Sequence, residues 1–142
     1  MTIASILHGK GTDTVSVTPE TTVAAAVALL AERRIGAVPV MDGEAVVGIF
    51  SERDVIHCLR ADGAAALDRP VGQVMTAPVE SVAPDSPVIG ALSLMTRRRI
   101  RHLPVIDGGR VVGFVSIGDL VKYRIDRIEA DAAAMRDYIR SA

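Results

Sequence analysis

The sequence predicts a mixed α/β (α+β) fold built from one unit used twice, with the copies packed about a pseudo-twofold axis. Three observations carry that expectation. The segment Ile100 to Asp119, IRHLPVIDGGRVVGFVSIGD, has an ungapped counterpart 65 residues earlier in Ile35 to Asp54, IGAVPVMDGEAVVGIFSERD. The match continues upstream, pairing Ser16-Val17 with Ser81-Val82, Pro19 with Pro84, Val23 with Val88 and Arg33-Arg34 with Arg98-Arg99. Within each copy, apolar residues first fall at helical spacing and then form β-branched runs around a glycine turn. A self-match this long marks a duplicated unit, and two copies fit a pair and not a solenoid.

Taken in order, residues 1–9 predict a short helix through Ile3, Ile6 and Leu7, and the polar KGTDT stretch a loop. A brief strand is expected at Val15 to Val17. Pro19 and Glu20 turn the chain, and Thr21 is expected to cap a helix running to about Arg34, with Val23, Val27, Leu30 and Ala31 as its apolar stripe. In the second copy Ser86 is the expected cap and Pro87 the first helical residue, where a missing N–H costs nothing. Val88, Leu92 and Met95 then share one face. After each helix, Pro39 or Pro104 holds the preceding residue extended. Asp42-Gly43 and Asp107-Gly108-Gly109 supply turn chemistry between two strands. Ser51 and Ser116 end the second strands and open the next helices.

The expected organisation is a first repeat at 10–60, a mildly flexible linker at 61–74, a second repeat at 75–125 and a helical extension at 126–142. On the last helix Val121, Ile125, Ile128, Ala132, Met135 and Ile139 recur at three- and four-residue steps. One small unit cannot cover so long a stripe, so part of it is expected to meet another chain, in a homodimer. The alternative is that it folds back over its own core.

Hydrophobic residues make up 49% of the 142, so a substantial core is expected; aromatics are only 3% with no Trp, so that core must be aliphatic. A net charge of −1 gives no support to binding of nucleic acid or an anionic membrane. Val23 to Ala31, the longest apolar stretch, is too short to span a bilayer, and no secretory leader is evident. Cys58 stands alone, which excludes an intrachain disulfide and fits a cytoplasmic location.

His8, His57 and His102 are scattered without metal-ligand spacing. There is no G-x-S-x-G and no G-x-G-x-x-G, and HGKGT at 8–12 lacks the Walker spacing. A non-enzyme with no catalytic cofactor and no metal is the expectation. What does repeat is Ser-x-x-Asp at a helix start, Ser51 to Asp54 and Ser116 to Asp119. Read plainly this is a capping box. Read as a site, free N–H groups at the helix start face an anion, and a carboxylate offers two acceptors to the paired hydroxyls of a ribose. Arg101 and His102 stand where the first copy has Gly36 and Ala37. The scaffold is kept and these two positions vary, as if one end of a cleft served phosphate and the other left room for bulk.

With these residues in hand, the chain resembles a tandem pair of cystathionine β-synthase (CBS) domains, a Bateman module, of a stand-alone bacterial or organellar type. The resemblance covers about residues 10–125 and rests on GAVPV, RHLPV, GIFSERD and GFVSIGD together. It implies two β-α-β-β-α repeats joined by their sheets, often dimerised. It also implies adenosine ligands (AMP, ADP, ATP, S-adenosylmethionine, sometimes NAD) in two clefts between the repeats. Carried over by position, Asp54 and Asp119 hold the riboses, and Ser51 and Ser116 sit at the ribose–phosphate end. Arg101 and His102 reach phosphate in the Asp54 cleft and line the Asp119 cleft. Thr76, Ala77, Pro78 and Val79 supply the adenine edge of the first site; Lys10, Gly11 and Thr12 that of the second, with Gly36 and Ala37. Arg53 and Glu52 flank the first Asp, and Ile117 and Gly118 flank the second. The implied role is a nucleotide-sensing regulator of an unidentified enzyme. The alternative is an interaction protein that docks through its helices, its clefts vestigial.

Overall fold

Two hairpins frame the molecule, and their positions keep the offset of the duplication. The structure is a computed structural model that describes residues 1–11 and 14–142. In chain order the elements are α1 (Ile3–Lys10), α2 (Val23–Arg33), β1 (Ala37–Asp42), β2 (Ala45–Ser51) and α3 (Glu52–Asp62). Two 3₁₀ turns, Gly63–Asp68 and Val71–Gln73, lead to α4 (Val88–Arg98), β3 (His102–Asp107), β4 (Arg110–Ser116) and α5 (Ile117–Ser141). From α4 to the first residue of α5, every boundary lies 65 residues after its counterpart in the first half. The fold is thus α+β, with two small antiparallel sheets, β1-β2 and β3-β4. Both hairpins carry the same irregularity, after Val40 and after Val105. Their turns require glycine at Gly43 and Gly108, where φ is +62° and +58°.

The brief strand expected at Val15 to Val17 is reduced to one residue. Val17 donates to the Pro39 carbonyl and accepts from Met41, running parallel to β1, and the chain then turns at once from Thr18 to Thr21. That turn also corrects the expected cap. The Thr21 hydroxyl accepts from the Thr18 amide, so Thr22 caps α2 instead, accepting from Ala25 at 3.1 Å. In the second half the Ser86 hydroxyl is likewise used within the turn, accepting from Ala83, and Pro87 stands in extended backbone before the helix. Val23 and Leu30 on α2 and Val88 and Met95 on α4 are buried as expected, while the middle of each face is Ala26 and Ala91 and not Val27 and Leu92.

The two cores do not divide the chain in sequence order. Val17, Val23, Leu30, Val38, Val40, Phe50 and Cys58 form one, closed by Ala66 and Val71. The other joins Ile3, Ile6 and Leu7 of α1 to Val88, Met95, Leu103, Val105, Val115 and Leu120. The N-terminal helix therefore completes the second half. Backbone bonds repeat this pattern. Val88 donates to Met1 and Ile3 to Ser86, just as Val23 donates to Arg69 and Val71 to Thr21. The stretch expected as a linker is thus in part the closing segment of the first half, with Ala66 and Val71 fully buried. Small and β-branched apolar side chains are what such a tight closing turn can bury.

An added β-carbon would push against a side chain at the two sites where the closing segments cross the hairpins. A Cβ on Gly48 would lie 2.3 Å from Met75 Sδ, and one on Gly113 would lie 2.5 Å from Leu7 Cδ2. Beyond Tyr123, α5 leaves this body. Residues 125–142 are exposed except for half-buried Ala133, so the stripe does not fold back over its own core. Among the described residues, no helix is long and apolar enough to cross a membrane.

The docking of α1 on the second half has a direct test. Gly113→Ala is expected to lower stability by about 1–3 kcal/mol through overpacking, and Leu7→Ala by about 2–5 kcal/mol through a cavity. Because the two side chains compete for one space, the double variant is expected to lose clearly less than the sum, read from urea unfolding midpoints.

Candidate functional site

The starts of α3 and α5 are built on the same carboxylate geometry. The Ser51 N–H donates to Asp54 Oδ2 at 2.9 Å, and the Ser116 N–H to Asp119 Oδ2 at 2.8 Å. The Ser116 hydroxyl accepts from the Asp119 amide, completing a reciprocal box. The plain capping reading of Ser-x-x-Asp is therefore present in the structure. A carboxylate has further lone pairs, so capping alone does not exhaust it. The first turn of each helix is also pinned to the opposite strand of its hairpin: Glu52 donates to Gly36, and Ile117 to Arg101.

Two cavities open where the halves meet. The first, of about 560 Å³, lies between β2 and α3 of the first half and the start of β3 in the second. Of the residues predicted for it, Ser51, Arg53, Thr76, Pro78, Val79, Arg101 and His102 line its wall, as does Gly36. Ala77 does not. Asp54 stands one layer behind, its Oδ1 accepting from the Thr76 hydroxyl at 2.8 Å. Arg53 is partly committed, since it donates to the Arg99 carbonyl. The sequence reading passed over Ile49, Ile56, His57, Glu80 and Ile100 and named Glu52 only as a neighbour of Asp54, yet these give the cavity its apolar floor and its two carboxylates.

The second cavity, of about 440 Å³, is lined by Lys10, Gly36, Ala37, His102, Ser116 and Asp119 among the predicted residues. Gly11, Arg101, Ile117 and Gly118 are not in its wall, and Thr12 lies outside the described residues. Arg34, outside the predicted set, is also in the wall, where it ends α2 in the left-handed conformation, φ 53°. A helix end with no glycine at that position was the available signal. Both volumes fall within the usual range for small-ligand sites.

His102 is shared by both cavities. Its ring stacks on Phe114, centroids 5.7 Å apart. On another side it meets Gly36, where an added Cβ would lie 3.4 Å from Cε1. The room expected at Gly36 is thus filled by His102 itself. Burial lowers the His102 pKa below its ordinary value, and the Lys10 ammonium adds to the effect; Glu52 and Asp119 oppose it. Burial pushes the Asp119 carboxyl up, but the Lys10 ammonium and the Ser116 amide outweigh it and hold the group below the usual range. Lys10 Nζ sits 2.6 Å from Asp119 Oδ2 and 2.9 Å from the Phe114 carbonyl. Among the described residues, no cluster of three His, Cys, Asp or Glu could hold a metal ion.

Comparison with known proteins divides the chain in sequence order, as the duplication does. The CBS domain family matches residues 11–61 and 71–126. The chain therefore belongs to the CBS-domain family, as a tandem pair. It is similar to the CBS-domain protein ATU1752 of Agrobacterium tumefaciens, with 38% identity, a TM-score of 0.85, and 87% of this chain and 99% of that one covered. It is 31% identical to the mitochondrial CBS domain-containing protein CBSX3 of Arabidopsis thaliana, covering 98% of this chain and 72% of the relative. A CBS domain protein of Pyrobaculum aerophilum, PAE2072, whose structure is a complex with AMP, is 27% identical with a TM-score of 0.74, covering 84% of this chain and 89% of that one.

His102 predicts a pH dependence. Its folded pKa lies below 6.5, so in acid the unfolded chain binds the extra proton. Its contribution to stability is complete above about pH 6.5 and is lost as pH falls through the folded value. Urea midpoints of the wild type are expected to drop between pH 7 and pH 5, and His102→Gln to flatten that drop.

Proposed function

We propose that this chain is a regulatory module that takes an adenosine-type ligand (AMP, ADP, ATP or NAD) in the clefts between its halves and carries out no chemistry on it. The observation that carries the reading is the first cavity. Its walls come from both repeats, its floor is apolar, and two hydroxyl residues, two arginines and two imidazoles line it. An aliphatic floor suits a purine face, and arginine suits a phosphate. The AMP complex of the Pyrobaculum relative supports the same ligand class. A ligand bridging the repeats favours one packing of the two halves over another, and that difference is the signal passed to a partner enzyme.

A thermal-shift panel of AMP, ADP, ATP, NAD and S-adenosylmethionine tests the proposal. A ligand at 100 times its Kd adds about 2.7 kcal/mol, a rise of several degrees for a chain of this size. Asp54→Asn keeps the cap acceptor and is expected to weaken binding about tenfold or more. No shift with any ligand at millimolar concentration would overturn the reading.

A second reading, association through helices, is favoured by one specific observation. Ile125, Ile128, Met135, Tyr138 and Ile139 are all at least 49% exposed along α5. A homodimer covering this stripe is expected to sediment as twice the chain mass, and Ile128→Asp with Ile139→Asp to sediment as a single chain.

A further inference from the structure

The two equivalent carboxylates receive different third partners. Asp54 takes a neutral hydroxyl from Thr76 at 2.8 Å, whereas Asp119 takes the Lys10 ammonium at 2.6 Å. The substitution extends to the neighbouring carbonyl. Ile49 O accepts from the Thr76 amide at 2.8 Å, and its counterpart Phe114 O accepts from Lys10 Nζ at 2.9 Å. One lysine side chain therefore does at the second cleft what the backbone and hydroxyl of Thr76 do at the first.

This exchange alters what each carboxylate offers. Asp54 has only neutral partners, Thr76 on Oδ1 and the Ser51 amide and hydroxyl on Oδ2, so a ribose diol reaching it exchanges hydroxyl for hydroxyl. Asp119 is already paired with a cation, its ionised form held by that contact. Lys10 and the Ser116 amide both sit on Oδ2 of Asp119, so a neutral diol that spans the two carboxylate oxygens has to displace a charge-assisted bond with an ordinary hydroxyl donor, which is a losing exchange. A ligand with a phosphate changes the balance, because Lys10 then gains an anionic partner in place of the one it gives up. Arg34 in the same wall adds a second cation. Among the described residues, the charged groups of the first cavity are evenly matched, Glu52 and Glu80 against Arg53 and Arg101.

We propose that Lys10 is a specificity determinant of the second cleft: it excludes neutral ribonucleosides and admits phosphorylated ones, while the first cleft accepts both. The proposal rests on the reading that the clefts take adenosine-type ligands.

Calorimetric titration of the full chain with adenosine and with AMP tests it. Wild type is expected to bind one adenosine and two AMP per chain, with Asp54→Asn and Asp119→Asn assigning the sites. At the second site, AMP should be preferred over adenosine by at least about tenfold. Lys10→Met is expected to bind two adenosines and to lose most of that preference. Lys10→Gln, which keeps a donor for the Phe114 carbonyl, should behave in the same way and so separates charge from the structural bond. Two adenosines bound by wild type, or one still bound by both Lys10 variants, would overturn the assignment. If neither ligand binds to wild type or to the variants, the adenosine reading itself fails, and the role of Lys10 falls with it.

Discussion

Each half of the molecule passes from strand to helix on a single carboxylate, and the junction between the halves is organised by the two. Asp54 and Asp119 accept the amide of the serine that ends the preceding strand, which sets where α3 and α5 begin. Caps of this kind contribute about 0.5–2 kcal/mol each. Their larger effect is positional. With the helix start held, Glu52 and Ile117 can donate to Gly36 and Arg101 across the hairpin, and the first turns face the neighbouring half. The residue that sets the helix start is thus also the residue to which the proposed function gives the ribose.

The halves are alike in frame and unlike where they touch. Two imidazoles at symmetric positions would compete for the space between the cavities. One copy supplies His102 there, and the other supplies Gly36 and buried Ala37. The closing segments differ in a similar way, Met75 lying over Gly48 and Leu7 over Gly113. Small differences at a shared boundary are enough to give two clefts of one ancestry different walls.

Much of this was legible in the sequence because the duplication is ungapped where hairpins and capping boxes lie. Proline, the glycine turns and Ser-x-x-Asp each have a local physical reason for their place. What was not legible is tertiary. The closing segments match at an offset of 68, Leu7 against Met75, and not at 65, so an ungapped comparison passes over them. Nothing local distinguishes a packed 3₁₀ turn from a linker at 61–74, nor Thr22 from Thr21 as the cap, until the use of the Thr21 hydroxyl by Thr18 is seen. In the candidate site, Ser51 could be named because Ser-x-x-Asp repeats, and Arg101 and His102 from their contrast with the other copy. Lys10 could be placed at the second cleft, but not on Asp119, since α1 gives no sign in sequence of which half it joins. Arg34 was hidden by the general rule that helix-end arginines face water.

The crossing of α1 onto the second half also bears on how the chain assembles. The first half closes on itself, Val71 meeting Thr21, whereas Ile3 has to meet Ser86, roughly eighty residues away. The added loop-closure cost is only a few tenths of a kcal/mol. The effect lies in timing. An eight-residue helix is too short to persist alone in water, so this segment, made before the half it packs against, has no structure to adopt until β3, β4 and the start of α5 have followed it. The second half, for its part, lacks Ile3, Ile6 and Leu7 until that segment returns. Synthesis and completion thus run in different orders, and α1 is made well before the half that orders it.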